Sequence, residues 1–501
     1  MNAIDPAPSG GMRAIRGSLA RAALAVLVLA NAGCSVFTSY VRETADARHK
    51  FESLDADGAV TELKSGTDST LDRLCYLLER GVILHAAGKL DESNRELLAA
   101  VADIDEMERK AIISASDTAA EAGSLLINEK TIPYAGEPFE RVLLHAYLAM
   151  NFLFTGDLTG ARVEIRRLQE VQKDIREKAR KEAEDAAPHG KDEARTADAV
   201  DRSLGNAYRD QDAIAARVQN LYDDALAYAL SALVYDMNGE PNDAYIDLKR
   251  AMELRPELAE LRGDAYRAAV HSGLRDEAKE LKERDPSVTD APSDQPELVV
   301  LFECGDAPLK GEISLPIPTG SGLTAISLPK YQPRPNPYRR ATVRDSEGKV
   351  LATTDLYTDV EAIAVRGLRD RMAVLALKQA IRAVGKAVIS KQISDASGPQ
   401  GSGGRAIAMI LTSLFNVVSE QADVRSWTTL PANLQWVRIP LAPGEHHLTL
   451  ALEGPGSADL QTRPIVVTLE KGRKRFVNVR TTGPAVYLNV YPQERHQEEG
   501  T

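Results

Sequence analysis

The sequence predicts an α+β chain in two domains: an N-terminal array of paired helices, and a C-terminal antiparallel β-sandwich with an inserted helical hairpin. Three observations predict it. From residue 71 to 286, apolar residues recur with helical spacing in short amphipathic segments divided by Gly-containing turns. From 297 to 491 the period shortens to alternation, with turn residues between short apolar runs. Charge divides at the same place: residues 34–290 sum to −17 and residues 291–501 to +3.

The whole chain has 501 residues and a net charge of −12. An acidic chain lacks the concentrated basic face that phosphate backbones require, so nucleic acid is not an expected partner. The three cysteines, Cys34, Cys75 and Cys304, are too few and too scattered for a disulfide framework or a four-ligand zinc site. The histidines form no HExxH or HxH spacing, and no P-loop, GxGxxG or GxSxG stands where its chemistry needs it. No cofactor or metal is called for, and the expectation is a protein that is not an enzyme.

Residues 1–33 read as an export signal. Arg13, Arg16 and Arg21 precede the apolar run Ala22–Ala30, which is far shorter than the ~20 residues of a membrane span. Met12 is an alternative start. The run Asn31-Ala32-Gly33-Cys34-Ser35 resembles a bacterial lipobox, which implies a diacylglycerol on Cys34. Ser35 after the cysteine, with no Asp, implies sorting to the outer membrane. Ala30-Asn31-Ala32 is a rival site for ordinary signal peptidase and would release a soluble periplasmic protein. Residues 34–70 read as a tether. Cys75 and Cys304 either stay as buried thiols or pair in an oxidising compartment.

In the helical half, the segment 225–257 resembles a tetratricopeptide repeat. Ala232, Tyr235, Gly239, Ala244, Ala251 and Pro256 stand at its small, aromatic, turn and terminating places. Small residues let two helices approach, and larger ones fill the gap to the next pair. Gly273 follows Gly239 by one 34-residue period, and Gly88 and Gly156 lie two periods apart. The charged run 176–195 reads as a solvated helical extension, with a polar break at Pro188-His189-Gly190.

Before one helix stands a rigid turn, Pro133, Tyr134, Gly136 and Pro138, followed by Glu137, Glu140 and His145. These three allow a carboxylate–histidine dyad. Helix-capping carboxylates and a satisfied core histidine are the plainer reading. The pattern PYxGExxE then HxYxAxN (Pro133, Tyr134, Gly136, Glu137, Glu140, His145, Tyr147, Ala149, Asn151) resembles an uncharacterised family of bacterial envelope lipoproteins. Asp423, Arg425, Ser426, Trp427, Leu430 and Pro431 carry a second resemblance to it. The resemblance implies helical repeats, a C-terminal β-rich domain and no established activity.

Residues 287–296 read as a polar, Pro-rich linker, and 492–501 as a tail. In the β half, DSEGK and EKGRK read as hairpin turns. The helical insertion 360–420 carries a basic stripe at Lys378, Arg382 and Lys386 and an apolar run at 405–420. It either covers a sheet face or helps the chain associate with membranes or with itself. Arg334, Arg339, Arg340 and the turn Lys471–Arg475 form local basic tips. The function expected is a non-enzymatic outer-membrane lipoprotein: a periplasmic scaffold whose acidic helical repeats meet an envelope protein partner. The alternative is a membrane-associating or oligomerising component of a secretion or surface-polymer machine, acting through the 360–420 hairpin.

Overall fold

The computed structural model describes residues 40–115, 132–185, 205–319, 322–372 and 422–492, except 219, 222, 291 and 293. The signal, Cys34, the break at Pro188-His189-Gly190 and most of the 360–420 hairpin lie outside the described residues.

Of the residues expected as a tether, 40–68 are folded. α1 (Tyr40–Glu43), α2 (Ala45–Phe51) and α3 (Ala56–Glu62) bury Tyr40, Phe51 and Ala59. The apolar residues Phe51, Ala59 and Leu63 form a cluster with Ile83 and Ala86 of the first long helix. A flexible tether has no such apolar spacing to bury, and these few residues suffice to pin the segment.

Among the described residues four helix pairs follow: α4 (Arg73–Ala86) with α5 (Leu90–Ala115), α6 (Pro138–Thr155) with α7 (Leu158–Asp185), α9 (Ala225–Met237) with α10 (Pro241–Leu254), and α11 (Ala259–His271) with α12 (Arg275–Arg284). A one-turn helix, α8 (Asp212–Ala215), lies between the second and third pairs. Each pair turns in one way. Gly88, Gly156, Gly239 and Gly273 have φ between 73 and 82°. The N–H of the residue after each glycine donates to the carbonyl five residues back: Lys89 to Leu84, Asp157 to Phe152, Glu240 to Tyr235 and Leu274 to Ala269, at 2.8–2.9 Å. Positive φ is what glycine supplies without a Cβ clash, and this bond closes the helix end. Between α9 and α10, Ala232, Tyr235, Ala244 and Ala251 are buried, while Pro256 stands exposed just past the end of α10.

The strands form three sheets. A five-stranded sheet runs in the order β11 (Ala485–Tyr491), β10 (Lys474–Thr482), β1 (Glu297–Cys304), β7 (Asn433–Pro440), β6 (Asp355–Thr358). A four-stranded sheet runs β5 (Val350–Thr353), β4 (Arg340–Arg344), β8 (Gly444–Glu453), β9 (Asp459–Leu469). Among the described residues β2 (Leu309–Thr319) and β3 (Gly322–Gln332) pair only with each other, as a ribbon. The expectation of an entirely antiparallel β half is corrected: β1 and β10 are parallel. The reason lies in EKGRK. It is not a hairpin turn but a crossing, which takes the chain from β9 in one sheet to β10 in the other. DSEGK does close a hairpin, between β4 and β5.

The four-stranded sheet and the five-stranded sheet share one apolar cluster, from Leu298, Val300 and Phe302 to Leu448, Leu450 and Ile465. The opposite face of the five-stranded sheet meets the helices. Val299, Leu301, Trp436 and Phe476 belong to the same cluster as Leu78, Tyr147, Leu230 and Leu261. Helices and sheet therefore share one core. The connection 287–296 is itself held, since Gly472 donates to the Asp294 carbonyl at 2.8 Å and Leu441 to that of Pro296 at 3.2 Å. Cys75 and Cys304 are both buried free thiols. No helix among the described residues is long and apolar enough to cross a membrane.

Candidate functional site

The motif residues converge on the seam between helices and sheet. The extended segment 422–431 lies there with its backbone unpaired by any strand, so its N–H groups need other acceptors. Two buried helix carboxylates supply them. Glu79 of α4 accepts from the N–H of Thr428 at 2.7 Å and of Thr429 at 2.8 Å. Glu140 of α6 accepts from the N–H of Trp427 at 2.7 Å. Trp427 is 1% exposed, with its ring 5.8 Å from that of Tyr147. Burying side chains of this size contributes about 1.5–3 kcal/mol each.

Arg425 fixes the start of the segment. Its guanidinium donates to Asp423 at 2.8 Å and to the carbonyls of Leu71 at 3.0 Å and Ile132 at 3.1 Å. It also lies 5.4 Å from the centre of the Tyr134 ring. Ser426 and Pro431 are buried in the same run. The rigid turn before α6 holds Tyr134 in place: Gly136 has φ 80°, and the Tyr134 N–H donates to the Leu71 carbonyl at 2.8 Å.

The acidic residues of the second turn are structural. Glu140 accepts from the Glu137 N–H at 3.0 Å and from the Tyr134 hydroxyl. Burial and the neighbouring Glu137 carboxylate push Glu140 up to about 7, against Lys310 and those donors. Burial also works upward on Glu137, but Lys310 of β2 and Arg371 outweigh it and hold the group at about 2. His145 is elsewhere, with Nδ1 2.7 Å from Glu164 of α7. The possible dyad of Glu137, Glu140 and His145 is not assembled. Glu137 is held by Lys310 of the ribbon and by Arg371, Glu140 by the Trp427 N–H and the Tyr134 hydroxyl, and His145 faces the second helix of its own pair.

Asn151 and Tyr147, one helical turn apart, reach a second buried group. Tyr147 donates to Glu303 of β1 at 2.8 Å, and Asn151 meets His85 of α4 at 2.6 Å. A third group closes the far end. Arg438 of β7 donates to Asp264 of α11 at 2.8 Å and pairs with Glu297, and its N–H donates to Glu260 of α11 at 2.6 Å. Burial pushes Glu260 well above the usual carboxylate range, and Asp264 adds to this. Burial also works upward on Glu297, but Arg438 and Lys474 hold it at about 2.

Part of the acidity of the array is thus turned inward, while Asp91, Glu92, Asp105 and Glu253 among others stay exposed. Glu79, Glu137, Glu140, Glu260 and Asp264 all turn toward the β half, because its buried basic groups and unpaired N–H groups sit opposite them. Some of the basic tips are paired as well, while Arg339, Arg340, Lys471 and Arg473 stay exposed. Arg334 pairs with Asp306 at 3.0 Å, Arg340 with Glu453 at 2.7 Å and Lys471 with Asp294 at 2.8 Å. Sequence reasoning missed Glu79, His85, Glu303, Lys310 and Arg438. A signal for some was present: Glu297 and Glu303 share the parity of Val299 and Leu301 in β1, and a charge on a buried face needs a buried partner.

A cavity of about 480 Å³ opens beside this seam, lined by Arg73, Asp103, Glu106, Lys110 and Tyr134 among others. Within its lining Arg73 meets Asp103 at 2.8 Å and Lys110 meets Glu106 at 2.7 Å.

No family model and no curated protein matches the chain. Among solved structures, it is similar to two crystal structures of MamA. Both are 14% identical and cover 50% of this chain, with 94% and 96% of MamA covered and TM-scores of 0.29 and 0.28. It is also similar to the TPR2AB-domain:pHSP90 complex of yeast Sti1, at 17% identity, 49% and 91% coverage and a TM-score of 0.19.

Proposed function

We propose that the protein is a non-enzymatic scaffold for protein–protein interaction, held at the outer membrane by an acylated Cys34 and facing the periplasm, where it serves cell-envelope assembly or maintenance. One observation carries this reading. The first helix of every pair is docked on the chain's own sheet, and the motif residues serve that docking. What remains for a partner is the surface of the second helices, where Val163 of α7 and Ile246 of α10 are 47% and 51% exposed. The position of Tyr40 supports the anchor reading. Packed and bonded to Glu79, it begins the body only six residues after Cys34, so an acyl chain there would keep the body within about 20 Å of the bilayer.

Mass spectrometry of the mature N-terminus tests the anchor, and a diacylglyceryl Cys34 is expected. Cleavage after Ala32 overturns it. Crosslinking in cells tests the scaffold: Val163→Asp with Ile246→Asp removes a recovered envelope partner, while a recovery indistinguishable from background in the unaltered chain counts against the reading.

A second reading has its own support. Ala422 donates its N–H to Glu312 at 3.0 Å, and Met372 shares the Tyr208 hydroxyl with the Pro329 carbonyl. Glu312 and Pro329 are partners across the ribbon. The insertion 373–421 therefore leaves and returns at one point, as a separable arm for membrane association or self-assembly. Replacing 373–421 by a short Gly-Ser linker leaves the fold intact and abolishes liposome binding or oligomers on this reading. An unaltered chain that is monomeric and ignores liposomes sinks it.

A further inference from the structure

An outermost strand leaves backbone groups that no neighbour takes up, and is a template for pairing with a further strand. Most such edges of this chain are guarded. β5 and β6 have four residues each, and β6 lies against α9. β9 carries Pro464, which has no N–H to offer, with Asp459 and Arg463 exposed on the same strand. The ribbon carries Pro316, Pro318 and Pro329. β11 differs. Its seven residues, Ala-Val-Tyr-Leu-Asn-Val-Tyr, include no proline, no glycine and no charge, and most are strong strand formers. Among the described residues no backbone bond outside the β10 ladder reaches it.

The turn before β11 fixes which of its groups point outward. Gly483 and Pro484 make a two-residue connection, with Gly483 at φ 49°, so Thr482 and Ala485 are a hydrogen-bonded pair. Bonded and non-bonded pairs alternate from there. Ala485, Tyr487, Asn489 and Tyr491 bond inward to β10. Val486, Leu488 and Val490 turn their N–H and C=O groups outward. The side chains of these three are half-buried against the cluster between the two sheets.

We propose that β11 is the seat of a second copy of this chain, whose own β11 pairs with it antiparallel across a two-fold axis at Leu488. The edge complements itself. In that register Val486 stands opposite Val490 of the second copy, Leu488 opposite Leu488, and Val490 opposite Val486, and each pair exchanges two hydrogen bonds. This is the register that uses all the outward groups. Apolar side chains meet apolar side chains on the face toward the sheet–sheet cluster, and Tyr487 meets Asn489 on the other. No like charges oppose each other across the axis, which is the usual cost of pairing identical strands. The five-stranded sheet then runs on through both copies. A foreign strand would gain the same backbone bonds, but nothing in β11 selects one, whereas its own sequence fits residue by residue. The pairing needs neither the lipid anchor nor the 373–421 arm, so it stands apart from both readings above.

The test uses the full chain carrying Leu488→Cys. Across the axis the two Cα atoms of residue 488 would stand about 5.5 Å apart, within the span of a disulfide. The native Cys75 and Cys304 are buried. Val466→Cys is the control, since Val466 is 52% exposed on the edge that Pro464 guards. On mild oxidation Leu488→Cys is expected to form the disulfide-linked dimer at least about tenfold faster than Val466→Cys. Equal rates overturn the proposal. Replacing 373–421 by the Gly-Ser linker should leave the Leu488→Cys dimer unchanged. Its loss would assign self-association to the arm and overturn the proposal. Light scattering supplies the second measurement. Leu488→Lys sets like charges together at the axis, so it should be a monomer with an unchanged far-UV spectrum where the unaltered chain is a dimer. An unaltered chain that is monomeric at the concentrations of the crosslinking overturns the proposal.

Discussion

Toward the four-stranded sheet, strands β1, β7 and β10 present Leu298, Val300, Phe302, Val437, Ile439, Val477 and Val479. Toward the helices the same strands present Glu297, Glu303, Arg438, Asn478 and Arg480 among Val299, Leu301, Trp436 and Phe476. Both faces are buried. One is joined by apolar packing, which tolerates small slips, and the other by charges that must each meet a fixed partner. A buried charge without its partner costs several kcal/mol, so a mis-docked helix array is penalised at Glu79, Glu137 and Arg438 together. The comparison teaches that the helix–sheet joint is specified by polar pairing and the sheet–sheet joint by area.

The largest effect is expected on the charged face. Arg438→Met leaves Asp264 and Glu297 without the guanidinium that pairs with them. Urea denaturation at neutral pH should show a loss of about 3–5 kcal/mol. The loss should shrink near pH 5, as buried Glu297, freed of Arg438, takes up a proton more readily. A loss under about 1 kcal/mol would falsify the claim that this face depends on pairing.

On the apolar face, Leu450→Ala should cost about 2–5 kcal/mol, through lost burial and the cavity left behind. Here the loss should be the same at pH 7 and pH 5, since no titrating group is exposed by the deletion. A strong pH dependence would erase the distinction between the two faces.

Acid provides the third test. The folded Glu137 titrates at about 2, below the ~4.3 of an unfolded glutamate. Its contribution is present in full above about pH 4.3 and is lost as the pH falls toward 2, to the extent of about 3 kcal/mol. Glu137→Gln should flatten this part of the acid-denaturation curve, and Leu450→Ala should leave it unchanged. Equal curves for Glu137→Gln and the unaltered chain would show that the Lys310 pair does not hold the ribbon to α6.

Much of the fold was legible. Helical spacing and four glycines marked the pairs, and alternation marked most strands. Each of those signals is local. The parallel pairing of β1 with β10 was not legible, because it joins segments about 175 residues apart through a crossing that looks like a hairpin in sequence. The seam was half legible. Its motif residues stood out, yet read alone Glu140 is a helix-capping glutamate and Trp427 a packed tryptophan. That one accepts from the other is a property of tertiary docking, and no spacing within either motif encodes it.

The smallest effect belongs to a position that touches neither face. Gly156 has φ 82°, and a Cβ built there meets nothing within 4 Å. Gly156→Ala therefore tests backbone conformation alone, without packing or charge. Its cost should be about 1–2 kcal/mol, the penalty of a left-handed residue carrying a Cβ. Gly156→Asn should recover part of that loss, because a short polar side chain tolerates this conformation. Neither variant should change the acid curve. A larger loss than that of Leu450→Ala would mean that the α6–α7 turn feeds strain into the seam through Asn151 and Phe154, and the two faces would then no longer be independent of the array's own geometry.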